Sequence, residues 1–241
     1  MPGDPFENVV WNALHSVHAD LAIGDRTAAA YPADVAPFAA LADTRHTDLV
    51  PLEPLIAPGD HVYIIGAEPQ PTKNLRVGPV VPCLQMFLSV SPTVASSSDS
   101  PASSWPQPSR NILPILRMTP ADAPDMVALT DLAFPGFFRP RTYAMGTYYG
   151  VRLGGQLVAM AGERLAVDEY RELSAVCTHP NHVGKGYARR LMHRLIRDHA
   201  EAGLKSYLHV RTNNSRAIPI YERMGFATAR TVTVWPIFHS Q

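Results

Sequence analysis

Cysteine and unbalanced charge are both scarce in this sequence. The two cysteines, Cys83 and Cys177, lie far apart and outside any CxxC spacing, which argues against a disulfide framework and a thiolate zinc site. Lysine plus arginine and aspartate plus glutamate number 21 each, so no broad charged surface for nucleic acid or an anionic membrane is expected. We therefore expect a reducing, cytoplasmic setting and a small-molecule or protein partner.

Long apolar runs are missing too. No run approaches the roughly 18–20 residues that span a bilayer, and the start, MPGDPFENVV, lacks a basic stretch followed by an apolar one. No membrane role is expected, and no internal repeat is visible. With 46% hydrophobic residues over 241 positions, the chain can bury a core of ordinary size.

Serine and proline, by contrast, are concentrated in one stretch. They make up 12 of the 20 residues in 91–110, a composition that buries too little apolar surface to order itself. The sequence is thus expected to divide into an N-terminal accessory region (1–90), a Ser/Pro-rich linker (91–110) and a C-terminal region (111–241).

The N-terminal region predicts one helix and two strands. Asp4 is placed as an N-cap before Pro5, and apolar residues recur at helical spacing as far as Leu21. Strands are expected at 61–66 and within 80–90, where the prolines at 79 and 82 predict an edge strand or a late start.

The C-terminal region has a clearer pattern. Thr119, Pro120 and Asp122 predict a capped helix start, and Gly154-Gly155 predicts a two-residue hairpin turn. The remaining elements alternate, with strands expected at 112–118, 171–177, 205–210 and 228–235 and helices at 187–202 and 214–225.

One stretch, THPNHVGKGYARRLM, joins a strand to a helix through two glycines. Free N–H groups of the loop and the first helical turn, together with the helix dipole, favour an anion. Gly184 and Gly186 let the main chain turn tightly, and Lys185 adds a cation, so a pyrophosphate is the expected ligand. The P-loop pattern fails because Gly186 follows Lys185, and the GxGxxG pattern fails because Arg189 replaces its third glycine.

This loop and a later helix carry a family resemblance. The spacing G-x-G, then Asn-x-x-Ala…Tyr-x-x-x-Gly-Phe, resembles the acyl-CoA N-acyltransferase superfamily called GNAT over about 113–235. The segments SAVCTHP and GYARRLM are similar to those of the subgroup that resembles glycine N-acyltransferases. The matching positions are Gly184, Gly186, Asn214, Ala217, Tyr221, Gly225 and Phe226.

The resemblance implies an α/β (α+β) fold with a GNAT-type mixed, twisted sheet flanked by helices, and a smaller, degenerate GNAT-like N-terminal half. It implies transfer of an acetyl or other short acyl group from acetyl-CoA, with no metal, to a small-molecule or peptide amine in a ternary complex. The alternative reading is a weak or inactive CoA-binding, regulatory or scaffold protein. The resemblance implies CoA contacts from Val176, Cys177, Thr178, Asn181, His182, Val183, Gly184, Lys185, Gly186, Tyr187, Ala188, Arg189, Asn214, Ala217 and Tyr221.

Two positions depart from the family pattern. Asn181 stands at its Arg/Gln position, and Val183 stands where many members carry arginine. Lys185 and Arg189 are therefore expected to supply the charged phosphate contacts.

Catalytic roles follow from the chemistry of amide formation, which needs a neutral amine, an oxyanion partner and a proton for the leaving thiolate. Glu172 is the expected base, because it lies eight residues before Pro180 as in the resembled relatives, and strand alternation would place it beside Ser174, Val176 and Thr178. Glu163 is the second candidate, and Tyr221 matches the family's general acid.

Other polar residues support weaker readings. His15 and His18 lack a third metal ligand, His179 is expected to cap a turn or touch CoA, and Cys177 is expected to be inert. In the loop FPGFFRPRTY, Arg139 or Arg141 is a candidate for binding a substrate carboxylate. The alternative is that the aromatic residues of this loop only cover the sheet.

Overall fold

The computed structural model describes residues 4–89 and 113–240. The expected linker, 91–110, lies outside them. Within the described residues a nine-stranded mixed sheet dominates, with a three-stranded sheet, β1-β2-β3, beside it. The strands are β1 (Ile23–Gly24), β2 (Ala28–Ala30), β3 (Ala39–Leu41), β4 (His61–Ile65), β5 (Leu75–Val77), β6 (Val81–Leu88), β7 (Leu116–Arg117), β8 (Tyr148–Leu153), β9 (Gln156–Val167), β10 (Tyr170–Thr178), β11 (Lys205–Arg211) and β12 (Phe226–His239).

Few helices flank this sheet. They are α1 (Val9–Leu14), α2 (Ala123–Asp131), α3 (Tyr187–Glu201) and α4 (Ile218–Arg223), with short 3-10 turns at Ala19–Leu21, Val50–Leu55, Pro120–Asp122, Thr142–Met145 and Pro180–His182. The expected mixed α/β architecture is confirmed.

The large sheet runs in the order β4-β12-β6-β11-β10-β9-β8-β7, and β5 pairs with β12. Only β10 and β11 pair in parallel among these named strands. Strands β4, β5 and β6 come from the N-terminal region, so part of that region joins the large sheet, while β1, β2 and β3 form the smaller one. The large sheet is thus built by both regions.

Strand β6 decides between the two alternatives that its prolines left open, an edge strand and a late start. Its late start at Val81 is as expected, but it is no edge strand, because it pairs with β11 on one side and β12 on the other. Pro82 is tolerated there since it is the second residue of the strand, opposite Thr233, and its carbonyl accepts the Thr212 amide at 3.0 Å.

The first helix is shorter than its apolar spacing predicts. It covers Val9–Leu14 rather than continuing from Pro5 to Leu21. His18 turns inward instead, where its ring contacts the Tyr31 hydroxyl at 2.7 Å and the Met145 carbonyl at 3.0 Å. This buried anchor leaves Val17 46% exposed, so tertiary contacts override the helical pattern.

Local signals in the C-terminal region are confirmed. Gly154 and Gly155 take φ of +57° and +86° in the turn between β8 and β9, as a two-residue hairpin requires. Thr119 and Asp122 form a capping box, which opens a 3-10 turn that runs into α2. Helix α3 ends before Gly203, whose φ is +72°.

Candidate functional site

Strands β10 and β11 separate after a short stretch of pairing. Tyr170–Glu172 pair with Lys205–Tyr207, and beyond that point no pair joins the two strands in the described part of the chain, although they continue to Thr178 and Arg211. We call the space between these unpaired lengths the gap. Backbone N–H and C=O groups along such edges need other partners. The gap can therefore hold an extended ligand arm that carries amide groups, bound as a strand would be.

The β10 side of this gap carries a bulge. Ser174 lies opposite Gly162 and Cys177 opposite Met160, so three steps along β10 match two along β9. Ala175, between them, has φ of +51°. A bulge leaves one residue out of the ladder and re-aims the groups beside it.

This bulge corrects the expected alternation. Residues directly opposite each other across a sheet point to the same face, so Ser174 shares its face with Cys177. Val176 and Thr178 consequently turn away from the face that Glu172 and Ser174 share.

The glycine loop lies between the end of β10 and the start of α3. Gly184 and Gly186 have φ of +78° and +74°, and an added Cβ would meet nothing within 4 Å at either position. The left-handed backbone, rather than crowding, is therefore what requires glycine. Within the described residues, the amides of 184–188 donate to no backbone carbonyl, and α3 adds the positive end of a 15-residue dipole. The arrangement is an anion site.

Side chains around the loop are mostly exposed. Lys185 Nζ lies 3.3 Å from His182 Nδ1, and burial, then the nearby lysine, lower the pKa of His182. His179 Nδ1 accepts the Asn181 amide at 3.2 Å, which is the turn-capping role considered for it. Of the remaining loop positions, Val183 is 44% exposed, and Tyr187, Ala188 and Arg189 are half-buried in the first turn of α3.

Glu172 lies at the point where β10 and β11 part, and it is fully buried. Arg164 binds both of its oxygens, with Nε 2.9 Å from Oε2 and a second contact to Oε1. The Leu165 amide donates to Oε2 at 3.2 Å, and His209 Nδ1 lies 2.8 Å from Oε1. Burial alone would raise the pKa of Glu172, but Arg164 and His209 hold it well below its usual range.

The expected base is thus ionised but enclosed. Both oxygens of Glu172 already accept hydrogen bonds, so an incoming amine can reach this carboxylate directly only by displacing Arg164 or His209.

Two residues of this cluster were not predicted from the sequence. His209 on β11 contacts Glu172, and its Nε2 lies 2.9 Å from Nε2 of Gln85 on β6. Gln85 is fully buried, and its Oε1 has no hydrogen-bond partner in the described part of the chain. Two sequence features could have indicated these residues. Gln85 is a lone amide within the apolar run VVPCLQMFL, and His209 lies two residues beyond Tyr207.

Glu163, the second candidate base, is engaged elsewhere. Its Oε1 lies 2.9 Å from His199 Nε2 on α3, and its Oε2 accepts the Thr147 amide at 2.9 Å. Burial opposes ionisation, but His199 and this amide lower the pKa of Glu163. His199 in turn contacts Ser206 at 2.8 Å, so this cluster ties α3 to the sheet and does not join the Glu172 cluster.

Tyr221 lies on α4 in the apolar cluster that also contains Tyr187 and Ala217. Burial raises its pKa to about 12, so the phenol is protonated at neutral pH and can donate. Asn214 stabilises the turn that leads into this helix, because its Oδ1 accepts the Ala217 amide at 3.0 Å.

The other candidates have structural partners. Cys177 is buried, which raises its pKa to about 12 and keeps the thiol protonated. Arg139 pairs with Asp60 at 3.0 Å and Arg141 with Asp34 at 3.2 Å, so both arginines tie their loop to the N-terminal region.

His15 stacks on Trp11, with ring centroids 3.9 Å apart. Across residues 4–89 and 113–240, no group of three or more His, Cys, Asp or Glu side chains is placed to hold a metal. No helix in those ranges is long and apolar enough to cross a membrane.

Comparison with solved structures finds a counterpart that matches nearly the whole of this chain. The crystal structure of a protein assigned to the GNAT acetyltransferase family from Novosphingobium aromaticivorans DSM 12444 is 32% identical, with a TM-score of 0.79. The match covers 99% of this chain and 100% of that one. The shared architecture therefore includes the N-terminal region.

Sequence comparisons match parts of the chain. The family described as FR47-like protein matches residues 148–236. N-alpha-acetyltransferase RimI of Mycobacterium tuberculosis is 40% identical over 83 residues, which are 33% of this chain and 51% of that protein. An uncharacterized protein of Mycobacterium leprae is 35% identical over 121 residues, 45% of this chain and 33% of that protein. The chain thus spans about half the length of the first relative and about a third of the length of the second.

Proposed function

This chain belongs to the GNAT acetyltransferase family, and we propose from that premise that it transfers an acetyl group from acetyl-CoA to an amine. One observation carries the proposal: the gap between β10 and β11 leads into a glycine loop at the N-terminus of α3. CoA has an amide-bearing arm followed by a pyrophosphate, and these two features suit the gap and the loop in that order.

The backbone of Val176, Cys177 and Thr178 would bind the pantetheine arm, with one N–H polarising the thioester carbonyl. The loop 181–187 would hold the pyrophosphate through the amides of 184–187, with Lys185 and Arg189 as charged partners. We further propose that Asn214, Ala217 and Tyr221 border the arm on the α4 side, and that the chain falls in the subgroup resembling glycine N-acyltransferases.

The acceptor is proposed to be a primary amine, either of a small molecule or at a peptide N-terminus. The name of the mycobacterial relative, an N-alpha-acetyltransferase, favours the α-amine of a peptide. Balanced charge over the whole sequence, 21 residues of each sign, gives no reason to expect a nucleic acid or membrane acceptor.

Direct transfer in a ternary complex needs a proton donor for the leaving thiolate. Tyr221 is the proposed donor, since its half-buried phenol is protonated at neutral pH and it matches the family position. Glu172 takes part in removing the amine proton, although its enclosure by Arg164 means that another group must contact the amine.

The test is acetyl transfer from acetyl-CoA to a panel of short peptides with free α-amines and of small primary amines, followed by detection of the released thiol. We expect at least one class of acceptor to be acetylated, and Tyr221→Phe to lower kcat by about 10- to 100-fold with little change in KM for acetyl-CoA. Thiol release that is independent of every amine, or an unchanged kcat in the variant, would contradict the proposal.

A further inference from the structure

Three aromatic rings lie beside the base of the gap, where β10 and β11 part. Phe38 and Tyr63 come from the N-terminal region, and Phe137 comes from the loop between α2 and β8. The rings of Tyr63 and Phe137 stack with centroids 4.5 Å apart, and the Phe38 ring lies 6.0 Å from the first and 6.5 Å from the second. Arg164, which binds Glu172, lies over the Phe38 ring at 4.8 Å. The three rings therefore form an aromatic wall that begins at the base of the gap.

Two arginines lie close to the hydroxyl of Tyr63. Burial raises the pKa of Tyr63, and Arg211 and then Arg139 oppose this rise, so both guanidinium groups act on the phenol from nearby. Arg211 is the last residue of β11 and follows His209 on the same face of that strand, so it borders the gap. Arg139 belongs to the same loop as Phe137. The phenol and the two cations therefore lie together at the side of the gap.

These three groups have unused hydrogen-bond donors. Arg139 donates through Nη2 to Asp60 Oδ1 at 3.0 Å, but its Nη1 has no partner among the described residues. Its Nε is buried there without a partner, so Nη1 is the nitrogen that can reach a ligand. Neither the guanidinium of Arg211 nor the hydroxyl of Tyr63 makes a hydrogen bond within 4–89 and 113–240. Donors that lie together without partners indicate a ligand with acceptor oxygens.

The charges beside the gap are also unbalanced. Glu172 balances Arg164, and Asp60 balances Arg139. No ion pair joins Arg211 to an acid in the part of the chain that the structure describes, so one positive charge remains. A carboxylate carries one negative charge and two acceptor oxygens, whereas a phosphate group carries up to about two negative charges at neutral pH. A carboxylate therefore matches both the charge and the donors.

Resting on the proposed function, we propose that the acceptor amine carries a carboxylate, which binds Arg211, Tyr63 and Arg139 beside the gap. The carboxylate of a free amino acid and that of an acidic residue at the start of a peptide share this chemistry. The apolar part of such an acceptor lies against the stacked rings of Tyr63 and Phe137, which are both half-buried. These contacts select the acceptor and orient its amine, and they take no part in the bond changes.

The first test compares acceptors that differ in one carboxylate, at saturating acetyl-CoA. The pairs are Asp-Ala-Ala-amide with Asn-Ala-Ala-amide, and phenylalanine with phenylalaninamide, with kcat/KM expressed per neutral amine. We expect kcat/KM to be at least about tenfold higher for the acid of one pair, and that pair identifies the source of the carboxylate. Equal values within both pairs would overturn the inference while leaving acetyl transfer itself intact.

The second test changes Arg211. For the preferred acid, Arg211→Gln should raise KM at least about tenfold and keep kcat within threefold, while the KM of the matched amide stays unchanged because the amide lacks the charge. Arg117→Gln is the matched control, since Arg117 is also an exposed arginine at the end of a strand, at the far edge of the sheet, and it should change neither KM. No rise in KM, or an equal rise for acid and amide, would overturn the assignment.

A binding test requires no turnover. Benzoate and benzamide both present a ring to the aromatic wall and differ in charge, and NMR titration measures their affinities. Benzoate should bind at least about tenfold more tightly, and Tyr63→Phe, which keeps the ring and removes the hydroxyl, should weaken benzoate binding about three- to tenfold. Equal affinities, or no binding of either probe, would overturn the inference. Failure to acetylate any amine while benzoate still binds would instead contradict the proposed function.

Discussion

At the scale of single residues, the ion pair of Arg164 and Glu172 places two opposite charges in the interior of the site. The carboxylate is fully buried and the arginine side chain is 19% exposed. Arg164 also lies over the Phe38 ring, 4.8 Å from its centroid, so it joins β9 to the N-terminal region. Removing one partner of such a pair leaves the other charge buried and unpaired.

We therefore expect Arg164→Met to lower the free energy of unfolding by about 3 kcal/mol, measured by urea denaturation at pH 7. Because the pKa of Glu172 lies below its usual value of 4.5, the pair stabilises the wild type above about that pH, and this contribution is lost as pH falls. The difference between wild type and variant should thus narrow under acid conditions.

Arg141→Met provides the matched control for this experiment. Its ion pair with Asp34 is about half exposed on both sides, so the expected loss is within about 1 kcal/mol. Equal effects of the two substitutions, or a difference that does not change with pH, would contradict the account of the buried pair.

At the scale of secondary-structure elements, β6 connects the N-terminal region to the site. It fills the position between β11 and β12 and brings Gln85 against His209. Without it, the sheet would be cut at its centre and two long strand edges would open to water.

A chain limited to residues 113–241 should consequently fail to fold. We expect no cooperative thermal transition and a strong tendency to aggregate, checked by circular dichroism and light scattering beside the chain of residues 1–241. A soluble fragment that melts cooperatively and binds acetyl-CoA would show that the N-terminal region is dispensable.

The elements that could be predicted from the sequence are those set by local chemistry. Gly154-Gly155 fixes a hairpin turn, Thr119 and Asp122 fix a helix start, and Gly184 and Gly186 fix the loop before α3. Each depends on backbone angles or hydrogen bonds within a few residues, so the sequence around it is sufficient.

The features that could not be predicted depend on distant partners. The central place of β6 is decided by β11 and β12, which follow it by more than 100 residues. The bulge at Ala175 depends on the register with β9. The Gln85–His209 contact joins residues 124 positions apart, and no periodicity in either strand encodes it.

At the scale of the whole molecule, both regions build one sheet, and the proposed CoA site lies where that sheet opens. The gap supplies backbone groups, the glycine loop supplies free amides, and the N-terminal region supports the cluster at the base of the gap. The likeness to the Novosphingobium protein extends over 99% of this chain, which fits a single functional unit.

The measurement that tests this account most directly is calorimetric titration of the full chain with acetyl-CoA. Wild type should bind, and Gly186→Trp should weaken binding at least tenfold by obstructing the loop. Gly203→Trp is the matched control, because Gly203 lies at the other end of α3 with nearly the same φ, +72° against +74°, and equally open space, so the strain is the same and binding should be kept. If the wild type does not bind, or if both variants lose binding equally, the loop is not the site that holds CoA.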